Sequence, residues 1–249
     1  MNNICILVYS HSDCIDVWDL TCKLLLKYNI NDIDIVWGID KQKNFIFPEN
    51  FKIKYYNSTY NYTSRILTIL NQINYKYIIH IHEDWLPCNY IYKNNINKVI
   101  EIMDDFNIKY VRTYRCLGGR PTPQLEKINM CKKDVNNEYK LYYLPPNCQN
   151  LIALQPALWN YEFMKNTFSL IPNCSIQSTE APNKAKQFWL ANPEKIAYIG
   201  PTDLQIDQYI LAITSFIYPH VHAICRGKWM PNPEVQTILK EYNINISNR

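Results

Sequence analysis

Tyr77-Ile78-Ile79-His80-Ile81-His82-Glu83-Asp84-Trp85-Leu86-Pro87 is an apolar run of strand length that ends abruptly in an acidic pair. An apolar run this short and this continuous reads as a strand buried on both faces, the kind found in parallel sheets. Working upstream, Ile66, Ile69, Leu70 and Ile73 form a helical stripe, and the strand signal begins by residue 75 and runs to 81. Residues 4–9 and 34–39 are further apolar runs of strand length, separated by Val17, Leu20, Leu24 and Tyr28 at helical spacing, and 53–56 is a short strand candidate. Downstream, Ile96, Val99, Ile100 and Met103 make another helical stripe, followed by a strand at 108–113. Such alternation predicts an α/β fold, a largely parallel sheet covered by helices on both faces.

Beyond residue 115 the pattern loosens, because Gly118, Gly119, Pro121, Pro123 and the pair Pro145-Pro146 interrupt it, and loop and hairpin are expected there. Pro156 suits a first helical turn, which predicts a helix starting there with Trp159 and Phe163 on one side. Residues 196–199 read as extended, 209–217 as extended or helical, and 233–242 as a closing helix. The break in the pattern predicts two parts of one domain, 1–114 and 115–249.

The 249 residues are 47% hydrophobic and 19% charged, which excludes disordered and collagenous classes. The net charge of +4, from 26 basic and 22 acidic residues without a like-charge run, is too mild to point to nucleic acid. No stretch is long and apolar enough to predict a membrane span, and Met1-Asn2-Asn3 lacks the basic start of a signal peptide, so a cytoplasmic protein is expected. The nine cysteines form no C-x-x-C pair, and reduced thiols are the simplest reading.

Two stretches carry candidate chemistry. In open α/β sheets ligands sit outside the carboxyl ends of the strands, where Glu83-Asp84 is placed to hold a divalent metal or a substrate hydroxyl. Near the C-terminus, in His220-Pro-His222-Ala-Ile-Cys-Arg226-Gly227-Lys228-Trp229, an imidazole able to ligate a metal precedes two cations suited to a diphosphate. Each has a bland alternative: a solvated strand end for Asp84, and packed or solvated residues around His222.

Ser10-His11 closing the first strand, Asp40 ending the second, Arg65 on the helix before the strand at 75, and Glu83-Asp84 together resemble the nucleotide-sugar half of GT-A glycosyltransferases. The run 154–159, then Glu180, then 223–229 resembles glycosyltransferase-type proteins of bacterial, phage and giant-virus polysaccharide systems. His82 stands where the usual Asp-x-Asp motif has its first aspartate. The resemblance implies a GT-A, Rossmann-like mixed and mostly parallel sheet, and transfer of a sugar from a UDP-type donor to a glycan or other hydroxyl acceptor. It implies Mn²⁺ or Mg²⁺ as cofactor, held by Asp84 and His222. Ser10, His11, Asp40, Arg65, Glu83, Arg226 and Lys228 would bind the donor, and Trp189 and Trp229 the acceptor. Glu180 is expected as the base of a single, inverting displacement, with Asp203 and Asp207 as rivals, while Trp18 and Trp159 are expected to be structural. The alternatives are an inactive glycan-binding or scaffold protein of the same fold, and a nucleotidyltransferase, although the glycine-rich loop expected of the latter after its first strand is missing.

Overall fold

The computed structural model describes residues 3–29, 33–113, 135, 139–143, 155–171, 196–201 and 212–245. Its first four strands are β1 (Ile4–Tyr9), β2 (Asp34–Ile39), β3 (Phe51–Tyr55) and β4 (Tyr77–His82). They alternate with α1 (Ile15–Tyr28) and α2 (Tyr62–Leu70), and α3 (Lys93–Asp105) follows. All pairings among these strands are parallel, in the order β3-β2-β1-β4. The sheet continues through β8 (Ala157–Asn160), β6 (Tyr110–Arg112), β9 (Ile196–Pro201) and β7 (Tyr139–Tyr143), making eight strands among the described residues. β8 lies antiparallel between β4 and β6, β9 is parallel to β6, and β7 is antiparallel to β9. The mixed, mostly parallel α/β sheet expected from the sequence is what the chain forms, and strands from both sides of the 114/115 boundary complete it.

Side-chain alternation along β1 shows how helices cover both faces. Ile4, Ile6 and Val8 pack with Trp18, Cys22 and Leu25 of α1 and with Ile96, Val99 and Met103 of α3. Cys5, Leu7 and Tyr9 pack on the other face with Ile66, Ile69 and Leu70 of α2 and with Phe163, Met164 and Phe168 of α4 (Tyr161–Ser169). Each fully buried aliphatic or aromatic side chain contributes roughly 1.5–3 kcal/mol of apolar burial. The outer side of α1 is apolar as well. Val17, Leu20 and Leu24 pack against Leu86, Val221 and the helix α5 (Pro233–Glu241), so α1 lies between the sheet and the C-terminal segment.

Among the described residues, three helices start at asparagines whose side chains accept a backbone N–H of the first turn: Asn61 from Ser64, Asn160 from Phe163 and Asn232 from Val235, the last followed by Pro233 at the first helical position. Each such cap is worth about 1 kcal/mol. The cap at Asn160 corrects the expected helix start at Pro156. Residues 157–160 are a strand, and the helix begins at Tyr161. Ala157, Leu158 and Trp159 are buried between two neighbouring strands, and an apolar run of that length carries no period that separates strand from helix. Of the stretch 209–217, Ala212 and Ile213 are helical and 209–211 lie outside the described residues. Among the described residues no helix is long and apolar enough to cross a membrane.

Candidate active site

The strand order reverses between β1 and β4, since the chain runs outward from β1 to β3 and returns to pair β4 against β1. Open α/β sheets bind ligands at such a switch point, outside the carboxyl ends of the strands. Tyr9 is in register with His82 on one side and with Gly38 on the other, so Ser10, Asp40, Glu83 and Asp84 all emerge at this edge.

Glu83-Asp84 turns the chain from β4 into β5 (Trp85–Pro87), which pairs antiparallel with β10 (His220–His222), setting His222 opposite Trp85. The Ala223 amide donates to the Asp84 carbonyl at 2.8 Å, extending that ladder. This places His222 Nε2 3.1 Å from Asp84 Oδ2, with the imidazole stacked on the Trp85 indole at 4.3 Å between ring centroids. The expected partners Asp84 and His222 are therefore brought together. The other carboxylate oxygen, Asp84 Oδ1, is buried and has no hydrogen-bond partner among the described residues.

Beside it, the half-buried Glu83 carboxyl is pushed up to about 7, by burial first and by the Asp84 carboxylate second, against hydrogen bonds from Cys14 and Ser10. Ser10 is buried, and its hydroxyl accepts the Trp18 indole N–H at 2.7 Å, so it forms the floor of the site. Asp40 accepts the Ser12 amide at 2.8 Å and the Ser12 hydroxyl at 2.9 Å, with His11 Nε2 3.5 Å away. Burial pushes the Asp40 carboxyl up, and the Ser12 bonds with His11 outweigh it, holding the group below its ordinary value. With 5% of its side chain exposed, Asp40 braces the loop after β1.

On the α2 side an aromatic wall closes the site. Tyr9 stacks on Tyr56 at 5.4 Å and meets Tyr62 and His82 at 5.1 and 5.3 Å, and Tyr62 Oη lies 3.1 Å from His82 Nε2. Arg65 donates to the Tyr60 and Ser58 carbonyls and to Tyr9 Oη, fixing the wall. Burial holds His82 below its ordinary value, although Asp84 pulls it up, and burial holds His80 beneath it well below, with His82 adding to the shift.

Arg226 and Lys228 lie exposed on the hairpin of β11 (Ile224–Cys225) and β12 (Lys228–Trp229), directly after β10. Its two central residues, Arg226 and Gly227, have φ of +52° and +75°, the pattern of a type I′ turn. Trp229 is a correction to the expected acceptor platform. It is 9% exposed and packs in the cluster of Val17, Leu20 and Val235, since its place in a two-residue strand turns the indole inward. Trp18 and Trp159 are buried, as a structural role requires. Glu180, Trp189, Asp203 and Asp207 lie outside the described residues. The sequence reading missed the Trp85 stack and the Ser12 bonds to Asp40. The first had a signal in the alternation of Trp85 across the turn from Asp84, while the second had none.

Among the described residues no group of three or more His, Cys, Asp and Glu side chains is arranged to hold a metal ion. A Mg²⁺-type ion, however, keeps several waters and is held by one or two protein groups plus substrate phosphates rather than by a full protein cage. Neighbouring ligands of such an ion, each at about 2.1 Å, stand about 3 Å apart. The 3.1 Å between Asp84 Oδ2 and His222 Nε2 and the orphaned Asp84 Oδ1 fit that requirement.

No protein-family model and no curated protein matches the chain. Among solved structures it is similar to S. aureus TarS, at 14% identity with a TM-score of 0.47 over 79% of this chain and 35% of that one. For S. aureus TarS 1-349 in complex with UDP-GlcNAc the values are 13%, 0.46, 86% and 67%. For the bifunctional IspDF of Campylobacter jejuni they are 11%, 0.39, 75% and 47%. The chain thus spans about a third of the TarS chain that it matches, and with TM-scores below 0.5 none of these likenesses assigns it an activity.

Proposed function

We propose that the chain is a metal-assisted glycosyltransferase of the GT-A kind, moving a sugar from a UDP-type donor to a hydroxyl of a glycan or other acceptor. The observation that carries the reading is the Asp84–His222 pair at the switch point of the sheet, with one carboxylate oxygen buried and unpartnered among the described residues. The residue order Ser10-His11, Asp40, Arg65, Glu83-Asp84 and 223–229 supports it from the sequence side.

In this reading Asp84 and His222 hold Mn²⁺ or Mg²⁺, which when bound supplies Lewis-acid neutralisation of the leaving diphosphate. Arg226 and Lys228 add charge-assisted hydrogen bonds to the same phosphates from the hairpin that follows. The aromatic wall of Tyr9, Tyr56 and Tyr62 excludes water on the α2 side, and Trp85 holds the His222 ring in its plane. Transfer is a single displacement in which a carboxylate takes the acceptor proton, with Glu180 the first candidate for that base.

The test is product identification with Mn²⁺ and a panel of nucleoside diphosphate sugars, and in parallel with nucleoside triphosphates and sugar phosphates. Release of the nucleoside diphosphate, with the sugar appearing on water or an added acceptor, supports the reading. Release of pyrophosphate from a nucleoside triphosphate and a sugar phosphate would assign nucleotidyl transfer instead.

A further inference from the structure

A second cavity opens on the α2 face of the sheet, beside its outer strands. β2 and β3 pair with Val36 opposite Lys52 and Gly38 opposite Lys54, so Asp34, Val36, Lys52 and Lys54 share one face. α2 ends at Leu70, and between the turn that follows it and these two strands lies a cavity of about 270 Å³. Asp34, on its wall, and Asp40, in the candidate active site, stand at opposite ends of β2, roughly 20 Å apart at about 3.3 Å per residue.

The walls are fixed by hydrogen bonds. Lys52 Nζ donates to Asp34 Oδ2 at 2.8 Å and to Tyr75 Oη at 2.9 Å, and Tyr75 Oη donates to the same carboxylate oxygen at 2.7 Å. Gln72 Nε2 donates to the Thr68 and Tyr55 carbonyls, each at 2.9 Å, which ties the turn to both α2 and β3. The Leu67, Ile69 and Leu70 carbonyls accept the amides of Asn71, Gln72 and Ile73, so the end of α2 is capped by its own turn.

The lining leaves one charge over. Asp34 balances Lys52, whereas the half-buried Lys54 ammonium and the Asn74 amide have no hydrogen bond or ion pair among the described residues. A single surplus cation matches a monoanion. A dianion would be better served by a second cation or a helix N-terminus, and α2 brings its C-terminus here. The volume lies below the roughly 300–1,000 Å³ of clefts that take drug-sized ligands, which limits the occupant to about one ring. Val36 and Ile73 are apolar, and Gln72 and Asn74 add two carboxamides, which suits a ring with a C–H face and hydroxyl edges.

We propose that this cavity is a second ligand site, for a single hydroxylated ring that carries one carboxylate, an acidic monosaccharide. Lys54 pairs with the carboxylate, Asn74 and Gln72 Oε1 take the hydroxyls, and Val36 and Ile73 lie against the ring. The site shares no residue with the Asp84–His222 pair and does not rest on the metal reading.

The test is calorimetric titration of the full chain with glucuronate, and with glucose, cyclohexanecarboxylate and inorganic phosphate for comparison. The variants are Lys54→Met, Asn74→Ala and Arg226→Ala/Lys228→Ala. Glucuronate should bind about tenfold or more tightly than each of the other three. Lys54→Met should weaken it by about tenfold or more, since a hydrogen bond to a charged group is lost, and should keep the melting temperature of the wild type. Asn74→Ala should weaken it several-fold, and the hairpin double variant should leave it unchanged. Absence of glucuronate binding, or equal affinity in Lys54→Met, would overturn the proposal. Glucose, cyclohexanecarboxylate or phosphate binding as tightly as glucuronate would overturn the ligand class. Loss of binding in Arg226→Ala/Lys228→Ala would move the anion to the hairpin and overturn the site.

Discussion

Asp84 and His222 stand 138 residues apart in the chain and 3.1 Å apart at the edge of the sheet, joined by the short ladder between β5 and β10. That ladder makes the C-terminal segment part of the site rather than an appendage. His222→Ala removes the hydrogen bond to Asp84 and the stack on Trp85. Both groups are partly exposed, so the stability cost should be about 1 kcal/mol, read as a shift in urea midpoint without a change in slope. A loss of several kcal/mol would mean that the ladder, not the site, depends on His222.

Arg226 occupies the left-handed region at φ +52°, which a long side chain disfavours and asparagine tolerates. Arg226→Asn should therefore raise stability by up to about 1 kcal/mol while lowering affinity for UDP about tenfold or more. Opposite signs in thermal melting and in nucleotide titration would show a cation kept for binding against backbone preference. Unchanged affinity would place the hairpin outside the donor site.

The packing of α2 on β2 is close at Gly38, where an added Cβ would stand 2.2 Å from Cδ1 of the fully buried Ile69. Gly38→Ala should destabilise by about 1–3 kcal/mol, because the buried Ile69 side chain must move to admit the new Cβ. Denaturant unfolding checks this, and a neutral result would mean that α2 shifts freely.

His80 is buried on β4 with an imidazole held well below its ordinary value of 6.5 by burial and by His82. The unfolded chain takes up its proton at pH 6.5 and the folded chain only at lower pH. Stability from His80 is thus fully present above pH 6.5 and is lost as the pH falls below it. Glu83, raised to about 7, has the opposite slope between its ordinary 4.5 and 7, so the measurement is a difference. His80→Phe should flatten the acid side of the stability profile below pH 6.5 relative to wild type. An unaltered profile would contradict the burial of a neutral imidazole there.

The N-terminal half was legible because each element shows its period within a few residues. The apolar runs at 4–9 and 34–39 became β1 and β2, and the stripe of Ile96, Val99, Ile100 and Met103 became the buried face of α3. Ala157-Leu158-Trp159 was not legible, since an antiparallel strand buried between β4 and β6 is a short apolar run without alternation, and Pro156 gave a false helix start. In the site, the acidic strand end was readable from one stretch. Its link to His222 was expected only through resemblance, because no local pattern encodes a ladder between β5 and β10. The inward turn of Trp229 depends on packing partners far along the chain.

The central claim is that Asp84 and His222 form a cation-dependent diphosphate site, and its most direct measurement is calorimetric titration of UDP in the presence and absence of Mn²⁺. The wild-type chain should bind UDP markedly tighter with Mn²⁺, and Asp84→Asn and His222→Ala should each abolish that gain while melting as folded proteins. Undiminished Mn²⁺-dependent UDP binding in Asp84→Asn would contradict the account.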